Sequence, residues 1–544
     1  MFFIKQNKDL IIVLLLFGII FSLISLVNHY NFRTNAGDLG IYNQAIYDYA
    51  HLRFNHNTLW FGETPERMLT GHFAGLQLLL SPLYWIFNTY SLLIIQIVAI
   101  LLGGLGVYKY IHEVSKNQKL SLLALVHFFS IWGIYSALGF DYHDNVIASM
   151  LVPWIFYFLK KEKYKLTLLF FFLLIVSREN MALWAGFIAI GLLFVNFKSV
   201  KKRAFLIKMI VFSFGMFWLI MNVIIPGLAI QNDTVYIHFN FPPLGANFTE
   251  AIINIVIHPW DTGVAFFTNF TDNANLDGFK NDFFLTLLLS GGFALLRKPQ
   301  YLIMLLPIFG QKLFHGTPTH WSLFFHYSIE FAPILTIALF EWFSAYQVKK
   351  VIFFAVAAVI ACFTINIVKI ESNKVWWLNN NTIRFYAKEH YVTPYNVEEI
   401  YTALEKIPKK AKVSAESNIA PHLAMRKTIY QYPSVFDAEY IVLCPGNKVY
   451  YPLSRKNYVL NLEKLIKSYR WTNLILNKNV VLFKKNMKTL PSELNIEIEE
   501  EVIKNNPEWM VVMKKQSIEN EQSLDETIRI NAIFSINKRE ETLY

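Results

Sequence analysis

Thr34 to Gln44 reads T-N-A-G-D-L-G-I-Y-N-Q, and it lies inside a polar, charge-bearing stretch that runs from Asn28 to His72 between hydrophobic segments. A polar stretch in that setting reads as the first loop outside the membrane of a polytopic helical protein. Asp38 at its centre is the leading candidate for chemistry. If Gly37 to Ala50 is helical, Tyr42, Ala45, Ile46 and Tyr49 form an i, i+3, i+4, i+7 apolar stripe, which predicts a helix lying along the membrane interface. Asp38 then stands at its N-terminus, either capping orphan N–H groups or, with Asn35 as the cap, free to react.

Outward from that loop, the composition agrees. Of 544 residues 54% are hydrophobic, which is too apolar for an ordinary soluble enzyme of this length. Apolar segments of about 15 to 22 residues recur up to Val368, the length needed to cross roughly 30 Å of hydrocarbon. Beyond Ile370, Lys, Glu and Asn occur throughout. Residues 1–370 therefore read as a transmembrane domain, with residues 28–90 as its first outside loop, and 371–544 as a soluble domain with a tail.

The net charge of +11 does not point to nucleic acid, because the cations gather in short loops between apolar segments. They set topology instead. Lys5 and Lys8, then Lys109, Lys116 and Lys119, Lys160 to Lys165, Lys198 to Arg203, Arg297 and Lys298, and Lys349 and Lys350 all fall on one side if residues 73–87 lie at the interface. The expected crossings are then roughly 10–27, 91–108, 120–138, 145–159, 166–176, 181–196, 205–226, 283–296, 301–315, 322–340 and 351–368, about eleven in all. The N-terminus is cytoplasmic and the C-terminal domain extracytoplasmic in the cell membrane. No cleavage site follows the first apolar run, so it reads as a retained helix. Cys362 and Cys444 offer no disulfide framework or Cys-based zinc site.

In this register Asp38, Asp48, Glu63, Glu66, Asp141, Asp144, Glu179, Asp233, Asp261 and Asp272 face outside, as do most histidines. Ser177-Arg178-Glu179-Asn180 splits residues 166–196 into halves of about 11 and 16. At ~1.5 Å per residue the first half rises only about 17 Å, which places Arg178 and Glu179 below the outer surface in a cavity floor. Ionisable groups at that depth are costly and functional by default, unless the two simply pair.

The soluble part opens with Trp376 and Trp377, suited to an interface. Strands are expected at Lys412–Glu416, Thr428–Tyr432 and Tyr440–Cys444, and a helical turn at Pro421–Arg426. An amphipathic helix at Asn457–Tyr469, a hairpin at Leu474–Phe483 and a last strand at Thr527–Ile533 complete a small α/β domain. The chain has no internal repeat, phosphate loop, H-E-x-x-H or G-x-S-x-G motif.

The polar clusters are Gly71-His72, Phe140-Asp141-Tyr142-His143-Asp144-Asn145, Arg178 with Glu179, and His320 with His326 and Glu330. His326 and Glu330 are four apart and share a face of the tenth expected crossing. A carboxylate that takes a proton, with Arg, His and Lys groups that hold phosphate oxygens, is what transfer from a phosphate leaving group needs. Carboxylates and His also suit a divalent cation, Mg or Mn, without diagnostic spacing. His258, His315, His422 and Asp261 read as ordinary loop residues.

T-N-A-G-D-L-G-I-Y-N-Q is followed by G-H-F-A-G-L-Q-L-L-L-S-P-L-Y, F-D-Y-H-D-N, S-R-E-N-M-A-L and F-F-H-Y-S-I-E-F-A-P. That series, with Ile407 to Pro433, resembles a family of predicted bacterial and archaeal membrane proteins of unknown function grouped with the GT-C glycosyltransferases. The resemblance covers most of residues 10–485. It implies inverting sugar transfer, outside the membrane, from a polyprenyl-phosphate sugar to a glycan, lipid or protein acceptor. It also implies an acidic residue of the first outside loop as catalytic base, and by position that residue is Asp38. His72, Asp141, His143, Arg178, Glu179, His326 and Glu330 are the expected donor-phosphate or substrate-binding groups. Many members of that superfamily carry a second acidic residue beside the first, which this loop lacks. A lipid or solute transporter, or a non-catalytic envelope protein that binds lipid-linked glycans, are the alternatives, though transporters commonly show repeated halves.

Overall fold

The computed structural model describes residues 7–59, 68–228, 239–346, 348–372, 379–468, 470–486, 493–520 and 522–541. Lys5, Glu63, Glu66, Asp233, Trp376 and Trp377 lie outside the described residues. The chain divides into two compact units.

Unit 1 comprises Met1–Thr34, Ile41–Asn57 and Thr64–Val392, and its described elements are helical. Five stretches are long and apolar enough to cross a membrane: Lys8–Tyr30 (α1), Leu76–Ser115, Glu179–Asn196, Val200–Leu228 and Lys350–Glu371. A sixth arises if Gln118–Ser130 and Trp132–Leu138, bent by 47°, form one broken span. The stretches of the other expected crossings hold shorter helices, among them Asp144–Lys160, Tyr164–Ser177, Pro299–Leu313 and Phe331–Phe343. Leu76–Ser115 is itself uneven. Short turns at Leu76–Leu80 and Tyr84–Phe87 precede the long helix Ser91–Ser115, and Asn88 between them takes φ 51°. The long helix packs closely because a side chain at Gly103 or Gly104 would collide with Met150 or Phe129.

Two local expectations change. Residues 36–40 form a π-helical turn, Ala36–Gly40, and only then does an α-helix (α2) run, Ile41–Ala50. In α2 the buried residues include Ile41, Asn43, Gln44 and Asp48 as well as the predicted stripe. A helix enclosed on all sides has no lipid-facing side, so it is not the interfacial helix that the stripe suggested. His326 and Glu330 likewise are not on a helix: turns and bends occupy residues 321–330, and the helix begins at Phe331.

Unit 2 comprises Asn35–Gly40, Thr58–Glu63 and Thr393–Tyr544. Its centre is a five-stranded sheet in the order β2-β1-β3-β5-β4, built from β1 (Val413–Ala415), β2 (Ile429–Gln431), β3 (Tyr440–Leu443), β4 (Trp471–Leu476) and β5 (Val481–Lys485). The first three strands are parallel and the last two antiparallel, joined by the expected hairpin. Ile441, Leu443, Val481 and Phe483 pack on Tyr458 and Leu465 of the helix Arg455–Lys467. Two pieces of the first loop belong here. Thr58 hydroxyl donates to Ile429 O at 2.6 Å and accepts from Ile429 N at 3.0 Å, covering the edge of β2. The turn Ala36–Gly40 packs against the short helix Ala420–Leu423, with Ala36 N 3.4 Å from Ser417 Oγ.

The tail corrects a third expectation. Thr527–Ile533 is part of a helix, Leu524–Glu541, that packs with Glu493–Lys504 and Pro507–Glu519 around Ile496, Ile503, Met513, Ile528 and Ala532. Ile528 and Ala532 are four apart, and Asp525 and Glu526 occupy the first turn, both of which suit a helix.

Candidate functional site

Arg178 is the hinge of the site in unit 1. Tyr164–Ser177 and Glu179–Asn196 are apolar helices, and Arg178 between them is extended, with φ −161° and ψ 154°. The break frees the side chains of Arg178 and Glu179 to meet a third group, His72. Arg178 Nη2 lies 2.9 Å from His72 Nε2, and His72 Nδ1 lies 3.0 Å from Glu179 Oε1. An arginine can only donate, so Nε2 accepts and the Nδ1 proton goes to Glu179. Burial, with the Arg178 charge adding to it, pushes the His72 imidazole below its ordinary value, which keeps it in that neutral form. Glu179, itself buried, also accepts from Phe73 N at 3.0 Å and lies 3.6 Å from Arg178 Nε.

A second carboxylate sits close by. Asp144 opens the helix Asp144–Lys160 and accepts from Tyr142 Oη at 2.8 Å and from Gln77 Nε2 at 3.1 Å. The preceding Asp141, at φ 51°, turns the chain so that its carbonyl accepts from Gln96 Nε2 at 2.9 Å, while His143 N donates to Gln96 Oε1. The His143 ring stacks on His326 with centroids 3.5 Å apart. Asn145 Nδ2 then donates both to Glu330 Oε1 at 2.7 Å and to His326 O at 3.2 Å. Thus Asn145, and not helical spacing, joins His326 to Glu330.

The structure therefore brings together His72, Arg178 and Glu179 as one group, and His143, His326 and Glu330 as another. Arg178 is within electrostatic reach of Asp144, His326 and Glu330. Both ring nitrogens of His326 are buried without a hydrogen-bond partner, which marks this ring as able to receive a polar ligand. Lys312 Nζ donates to His320 O and Ser322 O, fixing the loop that carries His326. Among the described residues no group of three His, Cys, Asp or Glu side chains is arranged to hold a metal ion.

Asp38 belongs to unit 2, half-buried in the turn Ala36–Gly40. His258 and Asp261 are exposed and 4.0 Å apart, whereas His315 stacks on His320 at 3.6 Å and His422 lies on the helix Ala420–Leu423. Sequence reasoning missed Gln77, Gln96 and Lys312, and it named Tyr142 and Asn145 as members of a polar cluster without giving them a role. Their common signal was visible: each is a polar side chain within or beside an apolar run, where it must find a partner.

No curated protein matches the chain. The family described as predicted membrane protein (DUF2079) matches residues 28–473, which include every residue of both groups. The chain belongs to this family of predicted membrane proteins.

Proposed function

We propose that this protein is a GT-C-type membrane glycosyltransferase that moves a sugar from a polyprenyl-phosphate donor to an extracytoplasmic acceptor. The observation that carries the proposal is Arg178, a guanidinium in the break between two apolar helices, held by a neutral His72 and a buried Glu179. A cation kept within a membrane domain suits a lipid-linked phosphate, which it meets with charge-assisted bonds. His143 and His326 add ring surfaces and nitrogens to the same neighbourhood.

In the proposed reaction an acceptor hydroxyl attacks the sugar's anomeric carbon as Asp38 takes the hydroxyl proton. The bond from that carbon to the phosphate oxygen breaks, and polyprenyl phosphate leaves with the new charge. About eleven crossings, a cytoplasmic N-terminus and an extracytoplasmic unit 2 belong to the same proposal. Reporters fused after Lys119, Lys165, Arg203 and Lys350 should read cytoplasm, and those after Asp277 and Glu389 outside. A cytoplasmic reporter after Glu389 would end the proposal. A deletion strain should lose a sugar from an envelope glycan. Accumulation of an untransported lipid would favour transport instead.

A further inference from the structure

In unit 1 two short helices, Phe248–Ile257 and Pro259–Phe267, meet at His258 and leave a broad apolar surface uncovered. At ~1.5 Å per residue they rise only about 15 and 14 Å, half of what a crossing needs. In the first helix Ala251 is buried and Asn254 Nδ2 donates to Leu244 O at 2.9 Å, so that side faces protein. Ile252, Ile253, Val256 and Ile257 lie on the opposite side and are exposed, Val256 to 73%. In the second helix Ala265 is buried and Phe266 packs on Phe284 and Phe309, with ring centroids 5.7 and 6.0 Å apart. Trp260, Val264 and Phe267, at i, i+4 and i+7, form an exposed stripe in which Trp260 is 81% exposed.

The neighbours and the charge of this surface decide what covers it. The Phe248 ring lies 6.2 Å from Phe217 of the helix Val200–Leu219, part of a stretch long and apolar enough to cross a membrane. Val211, Trp218 and Val223 of that stretch are exposed, so the apolar surface continues from a membrane span into the helix pair. No Lys or Arg occurs between Lys208 and Lys280, whereas Glu250, Asp261, Asp272 and Asp277 do. The pair thus lacks the cations with which amphipathic helices hold anionic headgroups, and apolar area is what it offers.

We propose that Phe248–Phe267 is seated in the bilayer leaflet beside Val200–Leu228, with lipid acyl chains covering Ile252, Ile253, Val256, Ile257 and Val264. Trp260 marks the headgroup level, and Asp261, about 100° round the helix from it, stays in water. The same pair moors the loop that carries the histidines. Lys280 Nζ donates to Ala265 O and stands over the Phe270 and Trp321 rings at 4.6 and 4.5 Å. Gly316 N donates to Asn240 O at 2.8 Å, and Phe241 meets the His315 ring edge to face. The seat therefore sets the height of His315, and of His320 stacked on it, relative to the leaflet. It does not depend on the transferase reading, because it is read from lipid contact alone.

The test uses the full-length protein in phosphatidylcholine nanodiscs, with the environment-sensitive dye NBD on Val256→Cys, on Val264→Cys and, as a control in the same loop, on Asp272→Cys. Cys362 and Cys444 are buried and stay out of the dye's reach. An interfacial helix sits about 5–10 Å into the boundary of headgroups and acyl chains, so a lipid nitroxide near the headgroup should quench both valine-site dyes about twofold or more. A nitroxide at mid-chain should quench them less, and the Asp272→Cys dye should respond to neither. Adding anionic phosphatidylglycerol should leave the quenching unchanged. Several results would overturn the proposal: valine-site dyes as open to a water-soluble quencher as the control, dyes shielded from water yet untouched by lipid nitroxides, as a second copy or another protein on this face would leave them, strongest quenching from mid-chain, as in a re-entrant loop, or quenching that appears only with anionic lipid.

Discussion

In unit 1 the buried charges answer one another: Glu179 meets His72, Phe73 N and Arg178, Asp144 meets Tyr142 and Gln77, and Glu330 meets Asn145. At the strand ends of unit 2 the buried polar groups are answered only in part, with Glu416 bonded through one oxygen and Gln431 through neither amide atom. Both arrangements take polar groups out of water, but their costs differ. A closed network loses most when one member is removed, because its partners are left buried and unpaired. An open set already bears that cost, so removing a member is cheap for folding. Closed networks thus hold a framework rigid.

The largest effect is expected at Asp38, where Asp38→Asn keeps the size and still allows a side-chain oxygen to cap a helix. Loss of the base should lower turnover by about 10²- to 10⁴-fold at unchanged abundance and donor binding. Near-wild-type turnover would leave Asp38 with a structural role in unit 2. Next comes the closed network. Glu179→Ala should destabilise unit 1 by about 3–5 kcal/mol, read as loss of folded protein in the membrane or of thermal stability, because Arg178 then loses its carboxylate. If this variant is as stable as wild type, the network is not what holds the helix break.

Glu416 gives a pH signature to unit 2. Burial pushes its carboxyl from 4.5 up to about 7, against the bonds from Cys444 N and Tyr458. The folded state therefore holds the proton more tightly than the unfolded chain. Its stabilising contribution is full below pH 4.5, declines as pH rises, and is gone above about 7. The loss is about 3 kcal/mol, at about 1.36 kcal/mol for each pKa unit by which the folded and unfolded states differ. Melting curves of the full-length protein between pH 5 and 8 should show unit 2 weakening, and Glu416→Gln should flatten that trend. An unchanged slope in the variant would assign the dependence to another group. The smallest effect is Arg178→Lys, which keeps charge but not the planar fork and should weaken donor binding about tenfold. Equal donor affinity would return Arg178 to a purely structural pairing.

Much of this arrangement was legible in the chain. Arg178 and Glu179 betrayed the helix break because two charges interrupt an apolar run, and alternation with turn residues located the sheet of unit 2. The last helix was misread because Thr527 to Ile533 alternates like a strand, while its i, i+4 pair Ile528 and Ala532 and the acidic first turn at Asp525 and Glu526 carry the helical signal. Two facts had no local trace. Asn35–Gly40 joins a unit whose other residues begin more than 350 positions later, apart from Thr58–Glu63. The meeting of His143, Asn145, His326 and Glu330 likewise depends on tertiary packing of a non-helical stretch, which no spacing rule contains.

The most direct test of the central claim uses purified wild-type protein in proteoliposomes, with a polyprenyl phosphate carrying a labelled sugar and an envelope acceptor fraction. The account predicts that label moves to the acceptor and that polyprenyl phosphate is released in equal amount. Label that stays on its lipid, or that crosses the bilayer still attached to it, would contradict the account.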